Sequence, residues 1–271
     1  MTIVRTVAAL RALLASLDRA SVGFVPTMGA LHDGHVTLLR VARAGCKTLV
    51  TSVFVNPLQF NDPADLAAYP RNEVRDAELA EKAGTDVFFA PAVTEIYPPG
   101  DATAVEIGGA ALGFEGDMRP GHFRGVATVC LKLFNIVQPA YVYLGQKDAQ
   151  QVAVLTQLVR DFCLPLEVRV LPTVREADGL ALSSRNVRLS ADERRRAAAI
   201  PRALRAALAA DRRGADPVAA ARAALTDLVV DYVGIAPFGT DRTLVVAVRA
   251  GATRLIDNVP LGDPERAGLT T

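Results

Sequence analysis

Apolar and polar positions follow two different rhythms along this chain, and the change of rhythm divides it. Short, β-branched apolar runs at residues 22–25, 47–55, 86–90, 141–144 and 166–171 predict strands. Between them, segments 36–44, 72–83, 124–137 and 152–160 carry apolar residues at helical spacing. Asn72 caps one of these helices, and Pro139 stops another. Strands alternating with helices predict an α/β fold on an open parallel sheet, where ligands gather outside the carboxyl ends of the strands. The opening residues 2–17 read as an amphipathic helix. Regularity fades from 91 to 121, apart from a short strand expected at 104–107 and an irregular polar loop at 116–123. From Ser190 the rhythm changes: Ser190 and Glu193 form a capping-box pattern, and an Ala- and Arg-rich helical stretch runs to residue 225. Strands expected at 228–235, 243–248 and 253–256 complete a smaller α+β domain.

The candidate chemistry sits where strands end. Residues 26–35, PTMGALHDGH, join the first strand to a helix that begins near Asp33 or Gly34. Backbone N–H groups at a helix start attract phosphate, Gly29 and Gly34 let a ligand approach the main chain, and His32 and His35 can donate to phosphate oxygens. The same residues also read as a plain turn with two exposed histidines. A zinc pair fits poorly, because the spacing is not i, i+4 and no third ligand lies nearby. Asn56 and Gln59 follow the next strand, either as amides that orient a polar substrate or as local turn chemistry. Arg119 and His122 either meet a phosphate or carboxylate or lie in solvent. At 145–151, GQKDAQQ places Lys147 at another strand end, as a phosphate-neutralising charge or a solvated helix-start lysine. Residues 172–186, PTVREADGLALSSRN, gather hydroxyls and an arginine suited to phosphate oxygens.

Composition narrows the partners. The 271 residues are 51% hydrophobic and 22% charged with net charge +1, which demands neither nucleic acid nor an acidic membrane. The eight arginines against four acids in 191–224 (8 − 4 = +4) invite an RNA-binding reading, but interspersed acids and missing aromatics favour a solvated helical face. Three widely spaced cysteines in apolar sequence fit reduced core thiols of the cytoplasm. No run approaches the roughly 20 apolar residues that span a bilayer.

The PTMGALHDGH stretch resembles the HIGH-type signature of the nucleotidyltransferase superfamily, and the Ser-Ser-Arg element is similar in role to the mobile KMSKS loop of class I aminoacyl-tRNA synthetases. Taken with VFVNPLQF, YPR, RPGHFRGVATVCLKLFNIVQP, YLGQKDAQQ and PTVREADGLALSSRN, in that order, the chain resembles the pantothenate synthetase family. The resemblance implies a Rossmann-like parallel-sheet domain over 1–173 that binds ATP and pantoate, and an α+β lid domain over 174–271. It implies ATP-dependent joining of pantoate to β-alanine through a pantoyl-adenylate, magnesium accompanying the ATP, and a cytoplasmic homodimer with no nucleic-acid or membrane partner. By motif, Met28, Gly29, Ala30, Leu31, His32, Asp33, Gly34 and His35 would hold ATP, with His35 as proton donor and His32 on phosphate. Gly145, Gln146, Lys147, Asp148, Val174, Leu182, Ser183, Ser184 and Arg185 would complete the nucleotide site, Lys147 and Arg185 acting in catalysis. Gln59 and Gln151 would hold pantoate, with Asn56 beside them. Arg75 stands where an acidic residue is expected, which leaves the magnesium ligands unassigned and an Asp76 contact open. A nucleotidyltransferase acting on another acceptor is the alternative.

Overall fold

A computed structural model describes residues 1–238, 241–263, 265 and 268–269. Positions 239, 240, 264, 266, 267, 270 and 271 of the expected 174–271 domain lie outside the described residues. The chain forms two compact units, Met1–Leu144 with Gln150–Val170, and Gly145–Ala149 with Leu171–Thr271. The five residues 145–149 thus pack with the second unit, whereas the expected break at 173/174 assigns them to the first.

The first unit is built on β1 (Thr2–Val4), β2 (Val22–Thr27), β3 (Thr48–Val53), β4 (Val87–Phe89), β5 (Tyr141–Gly145) and β6 (Glu167–Leu171), in the order β1-β4-β3-β2-β5-β6. The pairs β1–β4, β4–β3, β3–β2 and β2–β5 are parallel. Val22 through Val25 are all buried, as a strand covered on both faces requires. Phe24, Val50, Val142, Phe134 and Leu155 meet in one apolar core. After β2 the chain builds outward through β3 and β4, then returns to the other side of β2 with β5. The order therefore reverses between β2 and β5, which makes the carboxyl end of β2 the expected ligand rim.

The second unit carries an antiparallel sheet of β7 (Val229–Phe238), β8 (Asp241–Ala250) and β9 (Thr253–Pro260). Ile200, Leu204 and Leu208 of the helix Ala199–Arg212 share a core with Leu244, Val246 and Val248 of β8. Among the described residues no helix is long and apolar enough to cross a membrane.

Four local expectations change. Residues 2–17 contain β1 before the helix Val7–Leu14, because Thr2, Ile3 and Val4 pair with Val87 to Phe89 while Thr6 caps the helix from outside. No strand forms at 104–107, where the Val105 N–H is taken instead by the Thr128 hydroxyl. The expected polar loop at 116–123 holds the short helix Glu115–Met118 and the first residues of the long helix His122–Val137. Of the cysteines only Cys130 is buried; Cys46 is half-buried and Cys163 exposed.

Candidate active site

The turn leaving β2 is strained and held from behind. Gly29 and Ala30 have φ of +80° and +53°, a region that costs a residue with a Cβ about 1–2 kcal/mol. A Cβ on Gly29 would lie 2.8 Å from Asp76 Oδ2 and 2.9 Å from Val53 Cγ1, so only glycine fits there. Asp76, 2% exposed on the helix Glu73–Lys82, accepts the Ala30 N–H at 2.9 Å and the Leu31 N–H at 2.8 Å. Both oxygens of this carboxylate thus serve the turn. The sequence leaves Asp76 open as a metal contact; its one signal there is an acid in the first turn of a capped helix.

The histidines form the cap of the helix Asp33–Ala44. The Gly34 N–H donates to His32 Nδ1 at 3.2 Å, and the His32 N–H donates to His35 Nδ1 at 3.3 Å. A backbone N–H can only donate, so both rings accept through Nδ1 and carry the proton of the neutral imidazole on Nε2. The ring centroids are 4.1 Å apart. Two neutral imidazoles beside a helix N-terminus at the sheet's reversal point are an arrangement suited to an anion.

Gln59 lies on the same rim, after β3. Its Nε2 donates to Met28 Sδ at 3.0 Å and its Oε1 accepts from Asn56 Nδ2 at 3.0 Å. Asn56 is used up by the protein: Nδ2 also reaches Gly125 O at 3.1 Å, while Oδ1 accepts the Leu58 N–H at 3.3 Å and the Tyr97 hydroxyl at 2.8 Å. With both hydrogens and both lone pairs committed, Asn56 orients Gln59. Burial pushes the Tyr97 hydroxyl pKa well above its ordinary value, so Tyr97 stays a donor.

His122 is buried, and its ring nitrogens lie 3.0 Å from Gln59 O and 3.1 Å from Arg119 Nη1. Arginine must donate, so Nδ1 carries the ring proton and donates to the Gln59 carbonyl. Arg119 Nη2 reaches the same carbonyl at 3.2 Å. The pair that the sequence offers to a phosphate or to solvent therefore clamps the backbone of Gln59. Gln151 is half-buried on the helix Ala149–Asp161. Its neighbour Gln150, missed from sequence, is buried and ties residues 110–115 by donating to Ala110, Leu112 and Gly113 carbonyls and accepting the Glu115 N–H.

In the second unit a pocket is lined by Lys147, Ser183, Arg185 and Asn186, with Arg254 of β9 and apolar Leu180 and Ile256 among the rest. Val174 and Leu182 face each other in a small hairpin, the Leu182 N–H donating to Val174 O at 2.9 Å. Gly179, at φ +86°, turns the hairpin. Asn186 Nδ2 closes its base on Ala181 O and Glu176. The Arg185 N–H donates to Ser183 Oγ at 3.2 Å, and the Lys147 ammonium lies 3.5 Å from Asp148. Arg254, not singled out from sequence, is held by Asp231 at 2.7 Å. Three cations and a hydroxyl around one hollow suit a polyphosphate.

A family model described as pantoate-beta-alanine ligase matches residues 2–260. A pantothenate synthetase of Heliobacterium modesticaldum is 49% identical over 255 residues, covering 88% of this chain and 91% of the relative. One from a Roseiflexus species is 48% identical over 277 residues, covering 96% and 99%. The crystal structure of pantothenate synthetase from Thermus thermophilus superposes with a TM-score of 0.89 at 46% identity, covering 96% of this chain and 99% of that one. A pantoate-beta-alanine ligase from Francisella tularensis, complexed with beta-gamma ATP and beta-alanine, gives a TM-score of 0.82 at 35% identity, covering 97% and 98%.

Proposed function

The chain belongs to the pantoate-beta-alanine ligase family, and from that membership we propose how its residues share the family's reaction. The reaction joins (R)-pantoate to β-alanine using ATP, through a pantoyl-adenylate, and releases pyrophosphate and AMP. In the first step a carboxylate oxygen of pantoate attacks the α-phosphorus, and the bond to pyrophosphate breaks. The β-alanine amine then attacks the acyl carbon, loses a proton and displaces AMP.

Both steps leave the protein free of covalent change, so its work is alignment and charge neutralisation. His32 and His35 donate Nε2–H to the phosphates as charge moves onto the leaving pyrophosphate, with His35 nearest the reacting centre. The N–H groups of the 29–35 turn supply further donors. Lys147, Ser183, Ser184 and Arg185 neutralise the phosphates; Gly145, Gln146, Asp148, Val174 and Leu182 frame the nucleotide. Gln59 has one amide hydrogen and one lone pair beyond its bonds to Met28 and Asn56, and these meet pantoate together with Gln151. Neutral amides keep the pantoate carboxylate nucleophilic, whereas an arginine would draw off its charge. Asn56 belongs to this set as the residue that fixes Gln59.

We place magnesium on the ATP phosphates, as part of the substrate. Among the described residues no group of three His, Cys, Asp or Glu side chains is arranged to hold a metal ion, and the Asp76 oxygens are engaged with the turn. A homodimer through the first unit, a lid role for the second and a cytoplasmic location complete the proposal; light scattering of the purified protein tests the dimer.

The observation that carries the residue roles is the His32–His35 cap at the carboxyl end of β2. Replacing His35 or Lys147 by Ala should each lower pantoyl-adenylate formation at least about 100-fold, by analogy with loss of one oxyanion donor. The circular dichroism spectrum should stay unchanged. A near-wild-type rate in either variant removes that residue from the chemistry.

A further inference from the structure

Lys147 stands on the single 3-10 turn Gln146–Asp148, which joins β5 to the helix Ala149–Asp161. Its support comes from β9. Asn258, 1% exposed, donates from Nδ2 to Gln146 O and to Lys147 O, each at 2.9 Å, and accepts Gln146 Nε2 on Oδ1 at 3.1 Å. One side chain thereby grips two successive peptides, including the carbonyl of the lysine itself. Asn258 is gripped in turn: its N–H donates to Asp257 Oδ1 at 2.8 Å. Asp257, 3% exposed, forms a two-pronged ion pair with Arg175 at 2.7 and 3.0 Å, and Arg175 donates onward to Gly179 O at 3.0 Å. The chain of bonds runs from the hairpin that precedes Ser183–Arg185, through β9, to the peptide of Lys147.

We propose that Asn258 is a positioning residue for Lys147, fixing where its ammonium stands relative to the phosphates of ATP; this rests on the assignment of Lys147 to those phosphates. Only asparagine suits the place among residues of its size. Aspartate fills the same volume but has no hydrogens for the two carbonyls, and would set a negative charge against them; alanine offers neither donor nor acceptor. A lysine is a compact charge on a flexible stem, so its usefulness to a phosphate depends on where its backbone is pinned. The ion pair of Arg175 with Asp257 sets the same strand to the hairpin, so the parts bearing Lys147 and Arg185 share one anchor.

The test is a double-mutant cycle on kcat/KM for ATP in pantoate-dependent pyrophosphate release. It uses Asn258→Ala, Asn258→Asp, Lys147→Ala and the two doubles, with melting temperatures beside the rates. In the presence of Lys147, each Asn258 substitution should lower kcat/KM at least about tenfold; in Lys147→Ala it should change it less than about twofold, because its effect runs through the lysine. Equal losses with and without Lys147, or no loss from either Asn258 variant, would overturn the positioning role. The isosteric Asn258→Asp keeps the volume and the acceptor for Gln146, so it carries the test if Asn258→Ala does not fold. An unimpaired Lys147→Ala would overturn the phosphate assignment and this role with it; an impaired Lys147→Ala beside unimpaired Asn258 variants would overturn this role alone.

Discussion

Replacing Asp76 by Asn exchanges one oxygen for an NH2 group and should disable the turn that leaves β2. The carboxylate accepts two N–H groups, from Ala30 at 2.9 Å and Leu31 at 2.8 Å. Hydrogen bonds to a charged group contribute about 1.5–3 kcal/mol each, so the pair supplies about 3–6 kcal/mol. Against this stands about 1–2 kcal/mol of strain at Ala30, which adopts φ +53°. The native balance favours the strained turn by several kcal/mol. Asparagine keeps one oxygen and turns its NH2 toward the other N–H, leaving one neutral bond of about 0.5–1.5 kcal/mol and a donor facing a donor. The strain then matches or exceeds what holds it, and the turn that presents His32 and His35 relaxes. The holding interaction falls by about 2.5–4.5 kcal/mol, which corresponds to a fall of roughly 70- to 2,000-fold in kcat/KM for ATP. The assay is steady-state pyrophosphate release with ATP varied at saturating pantoate, repeated across a magnesium titration. A rate within about twofold of wild type, or one restored by added magnesium as for a weakened metal ligand, would refute the reasoning.

Tyr97→Phe should raise KM for pantoate severalfold and lower stability by about 0.5–1.5 kcal/mol, because Asn56 Oδ1 loses the Tyr97 hydroxyl and Gln59 its orientation; unchanged pantoate kinetics would uncouple Asn56 from the substrate. The hydrogen bond from Arg194 holds the Glu176 carboxyl below its ordinary value, so this stabilisation is complete above about pH 4.5 and drains as pH falls through the lowered folded-state value. Arg194→Met should therefore flatten the decline in melting temperature as pH falls below about 4.5; an equally steep decline would contradict the assignment. Thiol titration of the native protein should modify Cys163 first and Cys130 last, since Cys163 is exposed while burial pushes the Cys130 thiol up to about 12. Mass spectrometry after brief alkylation checks the order, and Cys130 reacting first would contradict it.

Strand–helix alternation was legible because the buried strands are continuous apolar runs, and the cap at Asn72 and the capping box at Ser190 lie where local sequence alone decides. β1 escaped because three β-branched residues flow into an amphipathic helix, and only the distant partner β4 marks the break. The strand expected at 104–107 failed for the converse reason: its residues alternate, but no partner strand takes their N–H groups. The helix start at His32–His35, the turn at Gln59 after β3 and the loop at Ser183–Arg185 stand out in the sequence as candidates because glycines and strand ends flag them. Asp76, Asn258 and the His122–Arg119 clamp do not, since each acts on backbone at least 45, 111 or 60 residues away. Nothing in their neighbourhoods distinguishes them from cap, strand and loop residues.

The division of labour in a two-step reaction is tested most directly by adding the substrates in turn. Purified protein is mixed with ATP, magnesium and pantoate while pyrophosphate is followed; β-alanine is then added while AMP and the amide are followed. Pyrophosphate release that requires pantoate but not β-alanine, with AMP and amide appearing only after β-alanine, is the predicted result. Pyrophosphate release that waits for β-alanine, or that ignores pantoate, would contradict an adenylate formed from pantoate before the amine attacks.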